Sequence, residues 1–321
     1  MQKLENLSVL ILAYNRYEKF KRCIKTLNEQ GIKKIFLSID GPRNNNDLEN
    51  KEKIIRFCKN NNFGMEITIN QLNNNNGCRL GPLKGISWFF SQIQQGIILE
   101  DDVIISRKCL EAFSYLLEKY FDNEEFLSIS SFYELTNNEV ESIFSMPIWR
   151  SWGWASWAHK WDFHIDFSKK IRNFNMWELY KLMPKDFRSI ETVQLVKASQ
   201  LNLLDAWDYE FNFSHLVNMK KSLTIGGINS LVYGFDDTAT HTIDLNLVGI
   251  DFKLFAERKI NLKNIIKIKN NKLIIILRKC GFFYNNNELN FNKFMFDFLK
   301  FIFYSFIFRL RIIKRIMYKR L

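Results

Sequence analysis

Apolar and polar positions alternate in blocks along the first hundred residues. Leu7–Ala13 is apolar apart from Ser8 and reads as a buried strand. Tyr17–Gln30 sets Phe20, Cys23, Ile24 and Leu27 at helical spacing and stops at Gly31. Lys34–Asp40 is a second strand closed by Gly41-Pro42, and Asp47–Asn60 a second helix. Met65–Asn70 is a short third strand, and Pro82–Gln95 a third helix with proline at its start. Gly96–Leu99 is a fourth strand that runs straight into Glu100-Asp101-Asp102. This alternation predicts an α/β fold around a mainly parallel, doubly wound sheet. Sheets of that kind bind ligands beyond the carboxyl ends of their strands. Tyr14-Asn15-Arg16, Asp40-Gly41 and Glu100-Asp101-Asp102 are therefore expected along one edge.

Beyond residue 103 the pattern loosens. Arg107–Tyr120 reads as a helix, and further helices are expected at 175–200 and 205–220. The stretch 224–249 is polar and contains glycine, and runs of asparagine at 44–46, 60–62, 73–76 and 285–287 fall between elements as loops. One domain is expected over 1–248, with a ligand-binding half at 1–103 and a second half at 104–248. A helical, basic extension would follow at 249–321.

Composition narrows the classes. The chain has 321 residues, 47% of them hydrophobic and 25% charged, which excludes a disordered chain. Its net charge is +12, and residues 289–321 hold eight Lys/Arg against one acid, Asp297. The tail thus carries more than half of the excess, and the body is not a nucleic-acid binder. Five cysteines, an odd number with no Cys-x-x-Cys pair or Cys/His cluster, argue for a reducing compartment and against structural zinc. With no leader-like start and no run of 18 apolar residues, a cytoplasmic location is expected.

The acidic triplet carries the first chemistry. Clustered carboxylates repel, and a cation is needed to keep them ionised together. A hard divalent metal with oxygen ligands, Mn²⁺ or Mg²⁺, meets that need and would neutralise charge on a leaving diphosphate.

Several segments resemble the GT-A-fold nucleotide-sugar glycosyltransferases. LSVLILAYNRYEKFKRCIKTL resembles their first strand, substrate loop and helix. IFLSIDGP resembles the strand whose terminal Asp reads the base, and NNNNGCRLGPLKGISWFF the loop and helix covering the nucleotide. ILEDDV resembles the metal motif in its Glu-Asp-Asp form, known from N-acetylglucosaminyltransferases. SWGWASWAHKW and GFDDTATHT resemble segments of bacterial members that assemble surface polysaccharides. The likeness spans roughly residues 7–245. It implies a GT-A fold, a Rossmann-like nucleotide-diphospho-sugar transferase architecture with a mixed, mainly parallel sheet. It implies a metal-dependent transfer of sugar from a nucleotide diphosphate to a glycan hydroxyl, with UDP-N-acetylglucosamine or a related UDP-sugar as first donor. Tyr14 and Arg16 would contact nucleoside and phosphate, Asp40 the base, Arg79 and Lys84 the ribose or diphosphate. Glu100 and Asp101 would lie on the donor side, and Asp102 would be the direct metal ligand. His241 would match a late His that reaches back to metal or diphosphate. The Ala206–Glu210 segment resembles the one supplying the catalytic base of inverting members. Asp208 is the choice, with Asp205 and Glu210 behind it, since helical periodicity alone does not separate Asp205 from Asp208.

Pro147–Trp161 carries five tryptophans in fifteen residues. Sugars pack their C–H faces on aromatic rings, so Trp152 and Trp154 are expected to line the acceptor. The tail at 289–321 interleaves Phe and Ile with basic residues, the pattern of peripheral binding to an anionic membrane, which suits a lipid-linked glycan acceptor. Two rival readings stand beside this one. A sugar nucleotidyltransferase would open with a Gly-rich loop after its first strand, where this chain has AYNRYEK. A non-catalytic glycan- or membrane-binding module would not need the acidic triplet.

Overall fold

A computed structural model describes residues 4–60, 64–131, 142–226, 230–232, 260, 262 and 265–267. The first unit runs β1 (Ser8–Ala13), α1 (Tyr17–Glu29), β2 (Lys34–Ile39), α2 (Asn45–Lys59), β3 (Glu66–Gln71), α3 (Gly77–Phe90) and β4 (Gln95–Glu100). It continues through β5 (Val103–Ile105), α4 (Arg107–Lys119), β6 (Phe126–Ser130), β7 (Ile143–Met146), β8 (Trp154–Trp157), α5 (Ala158–Ile171) and α6 (Met176–Leu182). It closes with α7 (Ile190–Gln200), α8 (Asp208–Val217), β9 (Lys221–Ile225), β10 (Ser230–Val232) and β11 (Ile265–Lys267).

One nine-stranded sheet has the order β11-β7-β9-β6-β8-β4-β1-β2-β3. The strands β3, β2, β1 and β4 pair in parallel, as the βαβ alternation requires. β8 then enters antiparallel between β4 and β6, so the sheet is mixed. β5 and β10 form a separate antiparallel ribbon.

Alternate side chains of each strand serve two cores. On β1, Val9, Ile11 and Ala13 face α1, α2 and α4, while Leu10 faces α3, α5 and α8. A third cluster joins Phe144 and Met146 of β7 to α5–α8. The tryptophan segment belongs mostly to these cores. Trp149, Trp154, Trp157 and Trp161 are all fully buried. Trp149, Trp154, Trp161, Trp207 and Phe211 pack ring against ring, Trp149 and Trp154 edge to face at 4.8 Å. Trp154 is therefore a core residue and presents no face to an acceptor, contrary to expectation. Only Trp152 of the five comes to the surface, half-buried.

Three element boundaries differ from expectation. The third helix begins at Gly77, with Pro82 inside it, and ends at Phe90. Its Arg79 N–H finds a partner far away in sequence, Asp205, which no local signal announces. The expected helix at 175–200 is two helices, because Pro184 cannot continue the first. The expected helix at 205–220 begins only at Asp208, so Asp205 lies outside it. Among the described residues no helix is long and apolar enough to cross a membrane. The 249–321 extension, including the basic tail at 289–321, is described only at 260, 262 and 265–267, where it supplies β11.

Candidate active site

The parallel strands β1, β2 and β4 end at one edge, and the polar turns that follow them meet there. Asp101 continues the β1–β4 pairing through its N–H to Leu12 O, 3.0 Å. Its side chain is fully buried and that of Asp102 nearly so. Arg16, from the turn after β1, bridges both: Nη2 to Asp101 Oδ1 at 2.5 Å and Nη1 to Asp102 Oδ2 at 2.6 Å. The Tyr14 N–H points at Asp101 Oδ2, 3.4 Å. Burial disfavours the Arg16 charge, but Asp101, Asp102 and Glu100 outweigh it and hold the guanidinium protonated. Burial, then the neighbouring carboxylates Asp102, Asp101 and Asp208, push Glu100 up to about 8 against the opposing Arg16. Asp101 is pushed up to about 6, mainly by burial, with Arg16 opposing.

The charge of Asp208, the first residue of α8, also acts on Glu100 and raises it. Trp152 joins the same edge from the other side. Gly153, at φ +82°, lets the chain pass Ser131, whose Oγ a Cβ would meet at 3.0 Å. Ser131 holds the turn with its N–H on Gly153 O (3.0 Å) and its hydroxyl on Trp152 O (2.7 Å). Arg150 lies over the Trp152 ring, 6.0 Å to the centroid.

The structure separates the three acids around α8. Asp205 caps α3 through the Arg79 N–H, 2.7 Å. Glu210 is buried in an ion pair with Arg79, 2.8 Å. Asp208 is half-buried and its charge reaches the acidic turn.

Two expected donor contacts are placed otherwise. The Arg79 side chain is 8% exposed, and its guanidinium is spent on Glu210, Ser199 and Asn202, so it does not reach a ribose or diphosphate. Asp40 accepts from the backbone N–H of Gly41, Asn76 and Gly77 and from the side-chain amides of Asn75 and Asn76, at 2.9–3.2 Å. A carboxylate offers about four lone-pair sites. Asp40 is thus saturated by the 74–77 loop and organises that loop instead of facing a base. Lys84 is exposed and donates to Asn76 Oδ1 of the same loop, 2.5 Å. His241 lies outside the described residues, as does the Gly234–Thr242 motif.

Asp47 was not anticipated. Its carboxylate accepts from the Tyr14 hydroxyl (2.5 Å), the Asn15 amide (2.6 Å) and the Arg43 N–H (3.1 Å). It joins the turns after β1 and β2. Burial works against its charge, but those bonds hold its carboxyl below the usual range. Burial and Asp47 together push the Tyr14 phenol up to about 12. In sequence Asp47 looks like an ordinary first-turn helix acid, and nothing local points to Tyr14.

Histidine does not supply the site's acid–base group among the described core residues. Burial pushes His164 down to about 3 and His215 down to about 4. His215 Nδ1–H donates to Phe211 O (2.8 Å), so its Nε2 accepts from Ser128 (2.9 Å).

Among the described residues no three His, Cys, Asp or Glu side chains form a ready cation cage. One observation does fit a cation. Asp102 Oδ1, a hard oxygen, is buried with no hydrogen-bond partner.

No family model matches the chain, and no curated protein matches it. Solved structures do. A mannosyltransferase, PcManGT of Pyrobaculum calidifontis, solved with GDP-Man and Mn²⁺, is similar over 60% of this chain and 51% of its own, with 9% identity and a TM-score of 0.35. S. aureus TarS 1-349 matches over 68% and 58%, with 11% identity and a TM-score of 0.38. The glucosyl-3-phosphoglycerate synthase of Mycobacterium tuberculosis, solved with Mn²⁺, UDP and phosphoglyceric acid, matches over 70% of each chain, with 10% identity and a TM-score of 0.31. The match thus spans about half to three-fifths of the first two proteins. In this chain the ends of the parallel strands bring Tyr14, Arg16 and Glu100–Asp102 to one edge, where the charge of Asp208 acts on Glu100.

Proposed function

We propose that the chain is a metal-dependent glycosyltransferase, moving a sugar from a nucleotide-diphosphate donor to a hydroxyl of a glycan. The observation that carries this is the double bridge from Arg16 to the buried Asp101 and Asp102 where the parallel strands end, with the charge of Asp208, from the other half of the chain, acting on Glu100.

Asp102, with its unpartnered Oδ1, would hold Mn²⁺ or Mg²⁺ beside Asp101 and Glu100. When bound, that cation supplies Lewis-acid neutralisation of the charge on the leaving diphosphate. Arg16 pairs with Asp101 and Asp102 and stands where a phosphate would arrive. Tyr14, fixed by Asp47, would wall the nucleoside side. Asp208 would take the proton of the acceptor hydroxyl as its oxygen bonds the anomeric carbon and the diphosphate leaves, inverting the centre. Trp152 would offer its ring to the acceptor sugar. UDP-N-acetylglucosamine or a related UDP-sugar is the donor to try first. Residues 289–321 would hold the enzyme at an anionic lipid surface bearing a lipid-linked acceptor.

Thermal melting against nucleotide diphosphates and sugar nucleotides, with and without Mn²⁺, tests this. A ligand at 100 times its Kd adds about 2.7 kcal/mol. The expected result is a metal-dependent shift with one nucleotide, lost in Asp102→Asn. No shift with any nucleotide would overturn the proposal.

A further inference from the structure

We infer that the buried Arg79–Glu210 pair, together with the exposed Asp205, forms a clamp between the two halves of the chain that sets the position of Asp208; this deepens the transfer reading above and rests on it.

The clamp is built around one side chain. Arg79 lies in the first turn of α3 and reaches across to α7, α8 and the turn between them. Its Nη2 meets Glu210 Oε1 at 2.8 Å, Nε meets Ser199 Oγ at 3.1 Å, and Nη1 meets Asn202 Oδ1 at 3.1 Å. The second Glu210 oxygen accepts from Ser168 Oγ, 2.5 Å. Glu210 and Arg79 are both buried, so their charges are satisfied by each other and by these neutral groups. A buried pair of this kind contributes little net stability compared with an apolar pair of the same shape. What it provides is direction: the guanidinium fork admits few arrangements.

The backbone of the same residue holds the other end. The Arg79 N–H donates to Asp205 Oδ1, 2.7 Å, so Asp205 acts as a remote cap for α3. Gly77, at φ +73°, makes room: a Cβ there would meet Asp205 Oδ2 at 2.6 Å. Asn202 sits in the left-handed region at φ +55°, bending the chain so that its amide oxygen faces Arg79. Ser199 Oγ donates to Ala206 O, 2.6 Å.

Asp208 lies between the two clamped acids. On its core side the flanking rings of Trp207 and Phe211 are buried in the tryptophan cluster. The first turn of α8 is thus held by packing on one side and by Arg79 on the other. The loop that Asp40 organises leads directly into α3, so a movement of that loop is felt by Arg79 and hence at Asp208. Arg79, Glu210 and Asp205 are positioning residues in this scheme.

Two readouts test it. The first is amide hydrogen exchange on the full chain, followed by mass spectrometry, for Arg79→Lys and Glu210→Gln. Expected is exchange at least tenfold faster in residues 208–212, with β1 unchanged; unchanged exchange in 208–212 would overturn the clamp, and so would uniform acceleration across the sheet. The second is metal-dependent hydrolysis of a sugar nucleotide. Glu210→Gln should lower kcat at least tenfold with KM for the donor within threefold. In an Asp208→Asn background the same substitution should cost less than twofold more, because residues acting through one group are not additive. Multiplying losses would show that Glu210 acts independently of Asp208. If wild type neither binds nor hydrolyses any sugar nucleotide, the transfer reading fails while hydrogen exchange still decides the clamp. Arg79→Lys keeps the charge and guards against a Glu210→Gln chain that does not fold.

Discussion

The strand-end half of the cleft and its helical half are built by different means. In the first, Tyr14, Arg16, Asp40 and Glu100–Asp102 each stand within a few residues of a strand end, and the parallel sheet alone brings them to one edge. In the second, position depends on partners far along the chain: Arg79 and Glu210 are 131 residues apart, and Trp149 N–H binds Asn212 across 63. The first half is specified by topology, the second by side-chain chemistry in the core. A substitution in the first should therefore change binding at little structural cost, and one in the second should do the reverse.

The largest effect expected from this contrast is at the strand-end half. Asp102→Asn should weaken Mn²⁺ binding, read by titration calorimetry, beyond the roughly 10–100-fold that loss of an outer-shell partner costs a metal site. Its melting temperature without metal should stay near wild type, because Arg16 still pairs with Asp101. In the helical half, Trp154→Ala should cost about 3–5 kcal/mol in urea unfolding, the range for removing a large buried aromatic ring. Trp152→Ala should cost about 1 kcal/mol or less and raise acceptor KM instead. Equal stability losses at the two positions would erase the distinction drawn between them. Gly77→Ala should cost about 1–3 kcal/mol, since it combines a positive φ with crowding of Asp205.

Stability should also change with pH. Glu100 and Asp101, raised to about 8 and about 6, bind protons more tightly folded than unfolded. Their contribution to stability is therefore greatest at acid pH and falls as pH rises from about 4 to about 8. Mn²⁺ should flatten that slope. Asp47 has the opposite sign: its lowered carboxyl contributes above its unfolded value near 3.8 and loses that contribution as pH falls below it. Melting scans from pH 3 to 8, with Asp47→Asn as control, separate the two.

The same contrast explains what was legible in the sequence. The four parallel strands and the edge they form follow from block alternation, which needs no tertiary knowledge. The chemistry of Asp40 and Arg79 did not follow. Both are polar residues at expected places, yet Asp40 is saturated by the 74–77 amides and Arg79 by α7–α8. Hydrogen-bond capacity is used up by partners that local pattern does not reveal. Trp154 misled for the related reason that tryptophan serves core and sugar surface equally well. Asp205, Asp208 and Glu210 could be told apart only once Arg79 had taken two of them.

The Arg16 bridge has a consequence for how the protein is made and handled. Because Asp101 and Asp102 carry their own internal counter-ion, the acidic turn can assemble in a newly synthesised chain before any metal arrives. Chelators should then silence the protein without unfolding it, and activity should return on adding back the ion.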